Sequence, residues 1–217
     1  MKKEEKVKLI IQSLEKIYPH VSVPLDHNNT FTLLIAVLLS AQCTDKKVNE
    51  VSPSLFLLAS TARDMDKLKE ETIYSKIKQL GLARTKAKNI KNLSKILIKN
   101  YRGCVPNSYR DLEALPGVGH KTASVVISQG FGEPAFPVDT HIHRLAQRWG
   151  LSSGKNVKET EKDLKNIFPR KLWNKLHLQI IFYGREYCTA RTCFGLTCHI
   201  CKKLYPNRIK AIITIRA

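Results

Sequence analysis

A short glycine-rich stretch, Leu115-Pro116-Gly117-Val118-Gly119, constrains the fold of this chain more than any other part of it. Proline and glycine end the helix that precedes this stretch, because proline cannot continue a helix and glycine accepts a positive φ. Gly119 then opens a second helix, which carries the apolar run of residues 123–127. The sequence therefore predicts two short helices joined by a tight hairpin.

The start of the second helix is predicted to bind an anion. Backbone N–H groups at a helix start have no partner inside the helix, and the helix dipole favours negative charge there. Small side chains in the hairpin allow a phosphodiester backbone to come close. Lys121 lies in the first turn, and Asp139 stands just before a later helix start. Taken singly, the lysine is a plain phosphate contact and the aspartate a helix cap.

The charge of the chain favours a polyanionic partner. Lysine and arginine number 37 against 18 acidic residues, which gives a formal net charge of +19, and the excess is spread along the chain. Nucleic acid is the polyanion that best fits such a surface, and an ordinary solvated surface is the alternative. Aromatic residues are only 7% of the chain, which argues against broad stacking of single-stranded bases.

Helical periodicity recurs along the sequence, and a strand pattern is suggested only over Ala211 to Ile215. The first helix is predicted to close at Tyr18-Pro19, and Asp45 is predicted to cap the third. The later helices are predicted at Thr30–Ser40, Lys46–Leu58, Asp64–Leu80, Thr85–Tyr101, Tyr109–Leu115, Gly119–Gln129, Thr140–Trp149, Val157–Ile167 and Lys171–Tyr187. The predicted fold class is all-α.

Four of the six cysteines crowd into one C-terminal segment. These cysteines are Cys188, Cys193, Cys198 and Cys201. No apolar stretch is long enough to span a bilayer and no apolar signal region follows the amino terminus, so a cytoplasmic protein is expected. In a reducing compartment the cluster favours metal ligation over disulfides. Zinc and iron–sulfur clusters both take four thiolates, so the cysteine count alone does not name the metal.

Two segments, LPGVGHKTASVV (residues 115–126) and FPVDTHIHRL (residues 136–145), resemble the helix-hairpin-helix plus Gly/Pro…Asp signature of the endonuclease III family of DNA glycosylases. The resemblance extends over nearly the whole chain. It implies a helix-hairpin-helix glycosylase fold, with a six-helix barrel over residues 21–132, an iron–sulfur domain of residues 1–20 and 133–217, and a DNA cleft between them. It also implies a monomeric, nucleoid-associated enzyme of base-excision repair that acts on duplex DNA with damaged bases or abasic sites.

Within this resemblance, Lys121 and Asp139 match the catalytic pair of a bifunctional glycosylase and lyase. A lysine amine can attack C1′ and form a Schiff base, which permits β-elimination of the 3′ phosphate. A carboxylate stabilises the positive charge that develops on the sugar. The implied activity is removal of oxidised pyrimidines followed by cleavage of the abasic site. Relatives that excise mismatched bases differ at the lysine position, so a monofunctional mismatch glycosylase is the second hypothesis and a non-catalytic DNA-binding module the third.

The resemblance further implies contacts around a base that is extruded from the duplex. Gln42 matches the residue inserted into the vacated space, and Leu82 matches the wedge near the unpaired partner base; without the family, they would be a loop residue and a packing leucine. Arg84, Lys86, Lys88 and Lys91 are predicted phosphate contacts, with a solvated helix face as an equal alternative. The remaining predicted DNA contacts are Leu115, Gly117, Gly119, His120 and His141.

The cysteine spacing departs from the family pattern. The family has gaps of six, two and five residues between the four cysteines that hold its [4Fe–4S] cluster, whereas the gaps here are four, four and two. If Cys198 and Cys201 match the middle pair, Asn207 stands at the last position and Cys193 is the substitute ligand. The resemblance favours iron–sulfur over zinc, in a structural role that turns Arg191, Lys202 and Lys203 toward DNA.

Overall fold

The computed structural model describes the whole sequence, residues 1–217, and it contains helices but no β-strand. The α-helices are α1 (Lys3–Ile17), α2 (Thr30–Leu39), α3 (Asp45–Phe56), α4 (Ala62–Lys67), α5 (Glu70–Ile77), α6 (Ala83–Tyr101), α7 (Tyr109–Glu113), α8 (His120–Val125), α9 (Thr140–Arg148), α10 (Val157–Ile167), α11 (Trp173–Glu186) and α12 (His199–Leu204). A π-helical segment (Val126–Gly130) continues α8, and a 3₁₀ turn (Arg170–Leu172) leads into α11. The prediction of an all-α fold is confirmed.

The chain forms two compact units. One unit runs from Pro24 to Glu133 and contains α2 to α8, and the other combines residues 1–23 with residues 134–217 and contains α1 and α9 to α12. Sequence analysis placed these limits at residues 20/21 and 132/133. In the structure both new segments begin with a proline, Pro24 and Pro134, a residue that has no N–H to contribute to a helix.

Helix α2 is the centre of the unit formed by residues 24–133. Its residues Phe31 to Leu39 are all buried, and it packs against α3, α6, α8 and the π segment. Asn29 begins it as an N-cap, accepting a hydrogen bond from the N–H of Thr32. Gly130 lies so close to α2 that an added Cβ would meet Thr30 Cγ2 at 3.0 Å. A helix that is apolar on every side is buried by neighbours on every side.

The predicted helix Asp64–Leu80 is wrong, because the structure has two helices there. The backbone of Leu68 is extended, with ψ 142°, and this ends α4. Lys69 then stands at the N-cap position of α5, whose first turn contains Glu70 and Glu71. Acidic residues are stabilising at a helix start, where they meet the positive end of the dipole. The six predicted helices of this region are therefore seven in the structure.

Two smaller predictions also fail. Thr44, not Asp45, caps α3: its hydroxyl accepts a hydrogen bond from Lys47 N at 3.2 Å, and Asp45 is the first helical residue. Residues 211–215 form no strand. In that segment, Ile212 N donates to the carbonyl of Phe194, and Ile215 N donates to a side chain, that of Gln147. Neither contact begins a strand ladder.

The second unit packs α11 against α1 and α9, while α10 lies on α9 and α12 lies on α1. Its core contains Ile10, Leu14, Trp149 and Tyr183, which are fully buried, together with the cysteine cluster. No helix of the structure is long and apolar enough to cross a membrane.

Candidate nucleic-acid interface and metal centre

The hairpin between α7 and α8 is fixed by steric constraints at its two glycines. Gly117 has φ +79°, and a Cβ at this position would lie 2.6 Å from Asn89 Nδ2, so both conformation and space require glycine. Gly119 has an ordinary φ of −95°, and a Cβ there would meet nothing within 4 Å. Gly119 therefore leaves open surface in front of the first turn of α8.

Leu115 was predicted to contact DNA, but its side chain is only 2% exposed. Val118, also buried, donates its backbone N–H to the carbonyl of Leu115 at 3.1 Å. The two apolar side chains therefore anchor the hairpin in the core. The role that the structure gives Leu115 is to hold the turn rather than to offer a side chain to a ligand.

Lys121 is exposed on the first turn of α8, and its ammonium group makes no hydrogen bond or ion pair. Its neighbour His120 is held on the surface in another way. His120 Nδ1 lies 2.7 Å from Glu113 Oε1, and its ring stacks on Tyr109 at a centroid distance of 5.2 Å. The structure thus presents one lysine whose amine is committed to no partner, beside a histidine that is oriented by α7.

Gln42 and Leu82 share an uncommon backbone conformation. Their φ values are +57° and +60°, in the left-handed region that residues other than glycine seldom adopt, and both are exposed. Their loops are neighbours, because the Cβ position of Gly81 lies 3.9 Å from Gln42 O and from Cys43 Sγ. Residues in such conformations cost about 1–3 kcal/mol each and concentrate at functional sites. The structure brings these two predicted DNA contacts together.

The basic run on α6 is divided by the fold. Arg84 is exposed, with its guanidinium 4.2 Å over the ring of Tyr74 and 3.7 Å from Glu71 Oε2. Lys88 is exposed, whereas Lys91 pairs with Asp66 at 3.0 Å. The remaining residue of the run, Lys86, is only 4% exposed. The prediction that Lys86 contacts phosphate is wrong, because its ammonium is buried and bonded inside the protein.

A signal for the burial of Lys86 was present in the sequence. The buried face of α6 includes Ala83, Ala87, Ile90 and Leu97, at the three- and four-residue spacing of a helix, and Lys86 falls on that same face. Counting the basic residues as one run overlooked this periodicity.

Asp139 is the N-cap of α9. Its Oδ1 accepts hydrogen bonds from the backbone N–H groups of His141 and Ile142, both at 2.9 Å, and its other oxygen makes none. His141 is partly buried, and its Nδ1 lies 3.3 Å from Arg144 Nη2. Burial lowers the pKa of His141 below its ordinary value, against the opposing influence of Asp139. Asp139 belongs to the second unit and Lys121 to the first.

The four clustered cysteines are buried, and their sulfur atoms all lie within 4.8 Å of one another. Cys188 Sγ is 3.4 Å from Cys193 Sγ and 3.9 Å from Cys201 Sγ. Cys198 stands at the N-cap of α12, and Cys201 lies within that helix. Four converging soft donors with one at a helix start are the donor set of a thiolate metal centre.

The thiols also influence the ionisation of one another. A hydrogen bond with Cys188 lowers the pKa of Cys198. The hydrogen bond between Cys201 and Cys188 instead raises the pKa of Cys201. Contact with Cys198 in turn raises the pKa of Cys188 to about 12. Four sulfurs at this distance cannot all hold negative charge without a cation among them. The residues therefore fit a metal centre.

Two buried arginines that sequence analysis missed hold the first cysteine. Arg148 Nη1 donates to Cys188 Sγ at 3.3 Å and to Thr189 O at 2.7 Å. Arg144 Nη2 donates to Cys188 O at 3.0 Å and to Gly184 O at 2.8 Å. The two arginines lie one turn apart on α9, a spacing visible in the sequence, but their burial against the cysteine loop is a property of the tertiary structure.

These features define a class of protein. Residues 35–170 match the description "HhH-GPD superfamily base excision DNA repair protein". The match includes Gln42, Leu82, the hairpin and both Lys121 and Asp139, and it stops before the cysteine cluster.

Comparison with individual relatives identifies the family within this superfamily. The chain is 46% identical over 185 residues to endonuclease III of Treponema pallidum, covering 85% of this chain and 88% of the relative. It is 42% identical over 189 residues to endonuclease III of Bacillus subtilis, covering 87% and 86%. A solved structure of a trapped endonuclease III–DNA covalent intermediate is 40% identical, with a TM-score of 0.85 over 94% of this chain and 99% of that one. The chain belongs to the endonuclease III family.

Proposed function

We propose that this chain is a base-excision repair enzyme that removes oxidised pyrimidines from duplex DNA and then cleaves the resulting abasic site. The observation that carries the proposal is the environment of Lys121. Its amine is exposed and unpaired on the first turn of a helix that follows a glycine hairpin open to solvent. An amine presented in this way can serve as a nucleophile, and a related endonuclease III has been trapped as a covalent intermediate with DNA.

The proposed reaction begins at the amine. The lone pair of neutral Lys121 Nζ attacks C1′, the bond from C1′ to the base nitrogen breaks, and the base leaves with the electron pair and takes up a proton. Nζ then loses a proton, and opening of the sugar ring, with a proton passing to O4′, gives an iminium between Nζ and C1′. Loss of a proton from C2′ then expels the 3′ phosphate, and water hydrolyses the iminium, which frees the lysine and leaves an unsaturated aldehyde.

Asp139 is proposed to supply the negative charge that this reaction needs. Two backbone N–H groups hold its Oδ1, and its second oxygen makes no hydrogen bond. A carboxylate oriented by a helix start stabilises the positive charge that builds up on the sugar as the base departs. Its role as N-cap is compatible with catalysis, because capping uses only one of the two oxygens.

DNA binding is proposed to depend on the main chain of the hairpin and on the two loops that carry Gln42 and Leu82. The N–H groups at the start of α8 would meet phosphate oxygens, with Gly119 leaving room for the backbone. Gln42 would enter the space left by the extruded base, and Leu82 would separate the neighbouring bases. His120, His141 and Arg84 are proposed as further contacts. An enzyme of this kind would work at the nucleoid as a monomer.

The unit formed by residues 1–23 and 134–217 is proposed to hold a [4Fe–4S] cluster on Cys188, Cys193, Cys198 and Cys201, with zinc as the alternative. Family membership supports the cluster, and the buried set of four thiols supports either metal. When bound, the cluster supplies a structural tie and no redox step is required of it. It would fix the position of the loop that carries Arg191 and of α12, which carries Lys202 and Lys203. All three basic residues are exposed.

Borohydride trapping on duplex DNA tests the proposal. Wild-type protein should form a covalent adduct with a duplex that contains an oxidised pyrimidine. Lys121→Ala should form none, and Asp139→Asn, which keeps a capping oxygen, should bind DNA but lose most turnover. Lys95→Ala removes an exposed lysine from α6 and is the matched control.

The same experiment separates the two other hypotheses. A monofunctional mismatch glycosylase would release a mismatched base without any adduct. A DNA-binding module would retain the duplex and release nothing. Either outcome with wild-type protein contradicts the proposed function.

A further inference from the structure

Lys86 is a buried cation whose donors all point to one loop. Its ammonium donates to Leu39 O and to Ala41 O, both at 2.8 Å, and it lies 3.3 Å from Cys43 Sγ. These three partners surround Gln42. The DNA-binding role first predicted for Lys86 is excluded by its burial, and a different role has to explain why a lysine occupies this position in the core.

The energetics of Lys86 indicate a dedicated function. An ammonium group has three donors and no acceptor, and burying it is unfavourable unless the donors are satisfied. None of its partners is a carboxylate, so no opposite charge offsets the burial. Leu39 O belongs to the last turn of α2, where carbonyls lack helical partners and the dipole favours a cation. The lysine therefore fastens the C-terminal end of α2 and the loop that follows it.

The main chain of Lys86 is hydrogen-bonded to Leu82. Leu82 is the residue at the N-cap position of α6, and the backbone N–H of Lys86 donates to its carbonyl at 2.9 Å. One residue thus bonds through its main chain to Leu82 and through its side chain to both sides of Gln42. Gln42 and Leu82 both have positive φ, and neither has a side-chain hydrogen bond that would hold its backbone in that conformation.

We propose that Lys86 is a positioning residue for base extrusion: it locks Gln42 and Leu82, in their left-handed conformations, at the separation needed to enter the duplex. This inference rests on the proposed function of the chain. It identifies a contribution to the reaction from a residue that touches neither DNA nor the reacting sugar.

The proposal predicts which step depends on Lys86. Extrusion of a paired base must precede its removal, whereas an abasic site has no base to unpair. Misplacing the inserting residues by about 1 Å can slow a reaction by roughly a hundredfold. Loss of the Lys86 contacts should therefore slow base removal by about tenfold to a hundredfold and change β-elimination at a preformed abasic site by no more than about twofold.

The variants are Lys86→Met, which keeps the length of the side chain and removes its donors, and Lys86→Arg, which keeps charge and donors. Lys95→Met removes an exposed lysine from the same helix and controls for charge. Single-turnover rates are measured on a duplex with an oxidised pyrimidine and on a duplex with a preformed abasic site. Lys86→Met should be slow only on the first, Lys86→Arg should recover part of that loss, and Lys95→Met should match wild type on both.

A double-mutant cycle distinguishes positioning from general stability. In a Gln42→Ala, Leu82→Ala background, Lys86→Met should slow base removal no further, because its effect passes through those two residues. Additive losses, equal losses on both duplexes, or a normal rate for Lys86→Met would overturn the inference. If Lys86→Met does not fold, the same cycle is run with Lys86→Gln, which also lacks the ammonium group, and the same criteria apply. Wild-type protein inactive on both duplexes would instead overturn the proposed function.

Discussion

The hairpin of residues 115–119 and the cysteine loop of residues 188–201 are both short irregular segments between helices, but different forces hold them. The hairpin depends on sterics within its own unit: Leu115 and Val118 are buried, and Gly117 adopts a positive φ beside Asn89. The cysteine loop depends on charge. Arg148 donates to one of its sulfurs and to three of its carbonyls, and four thiols face one another within 4.8 Å.

This difference leads to an expectation: the hairpin should keep its shape without a ligand, and the cysteine loop should need its metal. A hairpin shaped by packing has the same shape with or without DNA. Four thiols this close cannot all ionise without a cation among them, so the cysteine loop is expected to depend on a bound metal. The hairpin should therefore be sensitive to a single added methyl group, and the cysteine loop to the loss of its metal.

Metal removal is expected to have the largest effect. Structural thiolate sites contribute on the order of 10 kcal/mol of binding free energy, much of which is folding free energy. Chelation, or the variant Cys198→Ser, should abolish hydrogen-exchange protection in α12 and the cysteine loop and leave α7 and α8 protected. Exchange measured by mass spectrometry tests this, with Cys104→Ser as the control because Cys104 is exposed and lies outside the cluster. Equal deprotection of both regions would contradict the comparison.

A methyl group added at Gly117 should have the next largest effect. Alanine at a φ of +79° costs about 1–2 kcal/mol, and its Cβ would also have to displace Asn89. Gly117→Ala should lower the free energy of unfolding by about 2–3 kcal/mol in urea titrations. Gly119→Ala is the matched control: its Cβ has open space, so stability should fall by less than about 1 kcal/mol.

The two glycine variants also separate folding from binding. The Cβ of Gly119→Ala would stand on the surface that is proposed to approach phosphate, so DNA affinity should fall severalfold while the fold is kept. An unchanged affinity for Gly119→Ala, or equal destabilisation by both variants, would contradict the steric account of the hairpin.

Local signals in the sequence were sufficient wherever the structure is determined locally. Helix α10 has the predicted bounds, Val157–Ile167, because Asn156 caps it and its apolar residues keep helical spacing. The hairpin was predictable for the same reason, since Pro116 and Gly117 determine a turn. The break between α4 and α5 was missed, because two short helices with the same apolar face read as one long one.

The features that sequence analysis missed depend on tertiary contacts. Lys86 was assigned to phosphate from its charge, but its environment was decided by α2, which lies far from it in sequence. Lys121, in the same unit, was predicted to be catalytic, and its amine is exposed and unpaired. Two lysines of one unit thus have opposite surroundings, one buried and bonded and the other exposed and unpaired. The arginines behind Cys188 were missed likewise, because nothing in their spacing specifies what they pack against.

Acid should have the smallest effect, and it should fall on the unit that carries the cysteine loop. His143 on α9 is buried, its Nδ1 lies 2.8 Å from Thr160 Oγ1, and its Nε2 has no partner. Burial lowers the pKa of His143 below the ordinary 6.5, because a second N–H would have no acceptor. Below about pH 6.5 the unfolded chain therefore binds more protons than the folded one, and the free energy of unfolding falls with further acidification, by at most about 1.4 kcal/mol per pH unit.

Urea titrations of metal-loaded wild type and His143→Gln at pH 7.5 and pH 5.5 measure this contribution. Acid also weakens thiolate binding, so the informative quantity is the difference between the two proteins in the change of unfolding free energy with pH. Wild type should lose more unfolding free energy than the variant, since glutamine cannot take up the proton. Equal losses of unfolding free energy in the two proteins would mean that protonation of the buried imidazole does not destabilise the fold. The acid sensitivity of this unit would then come from the thiols alone.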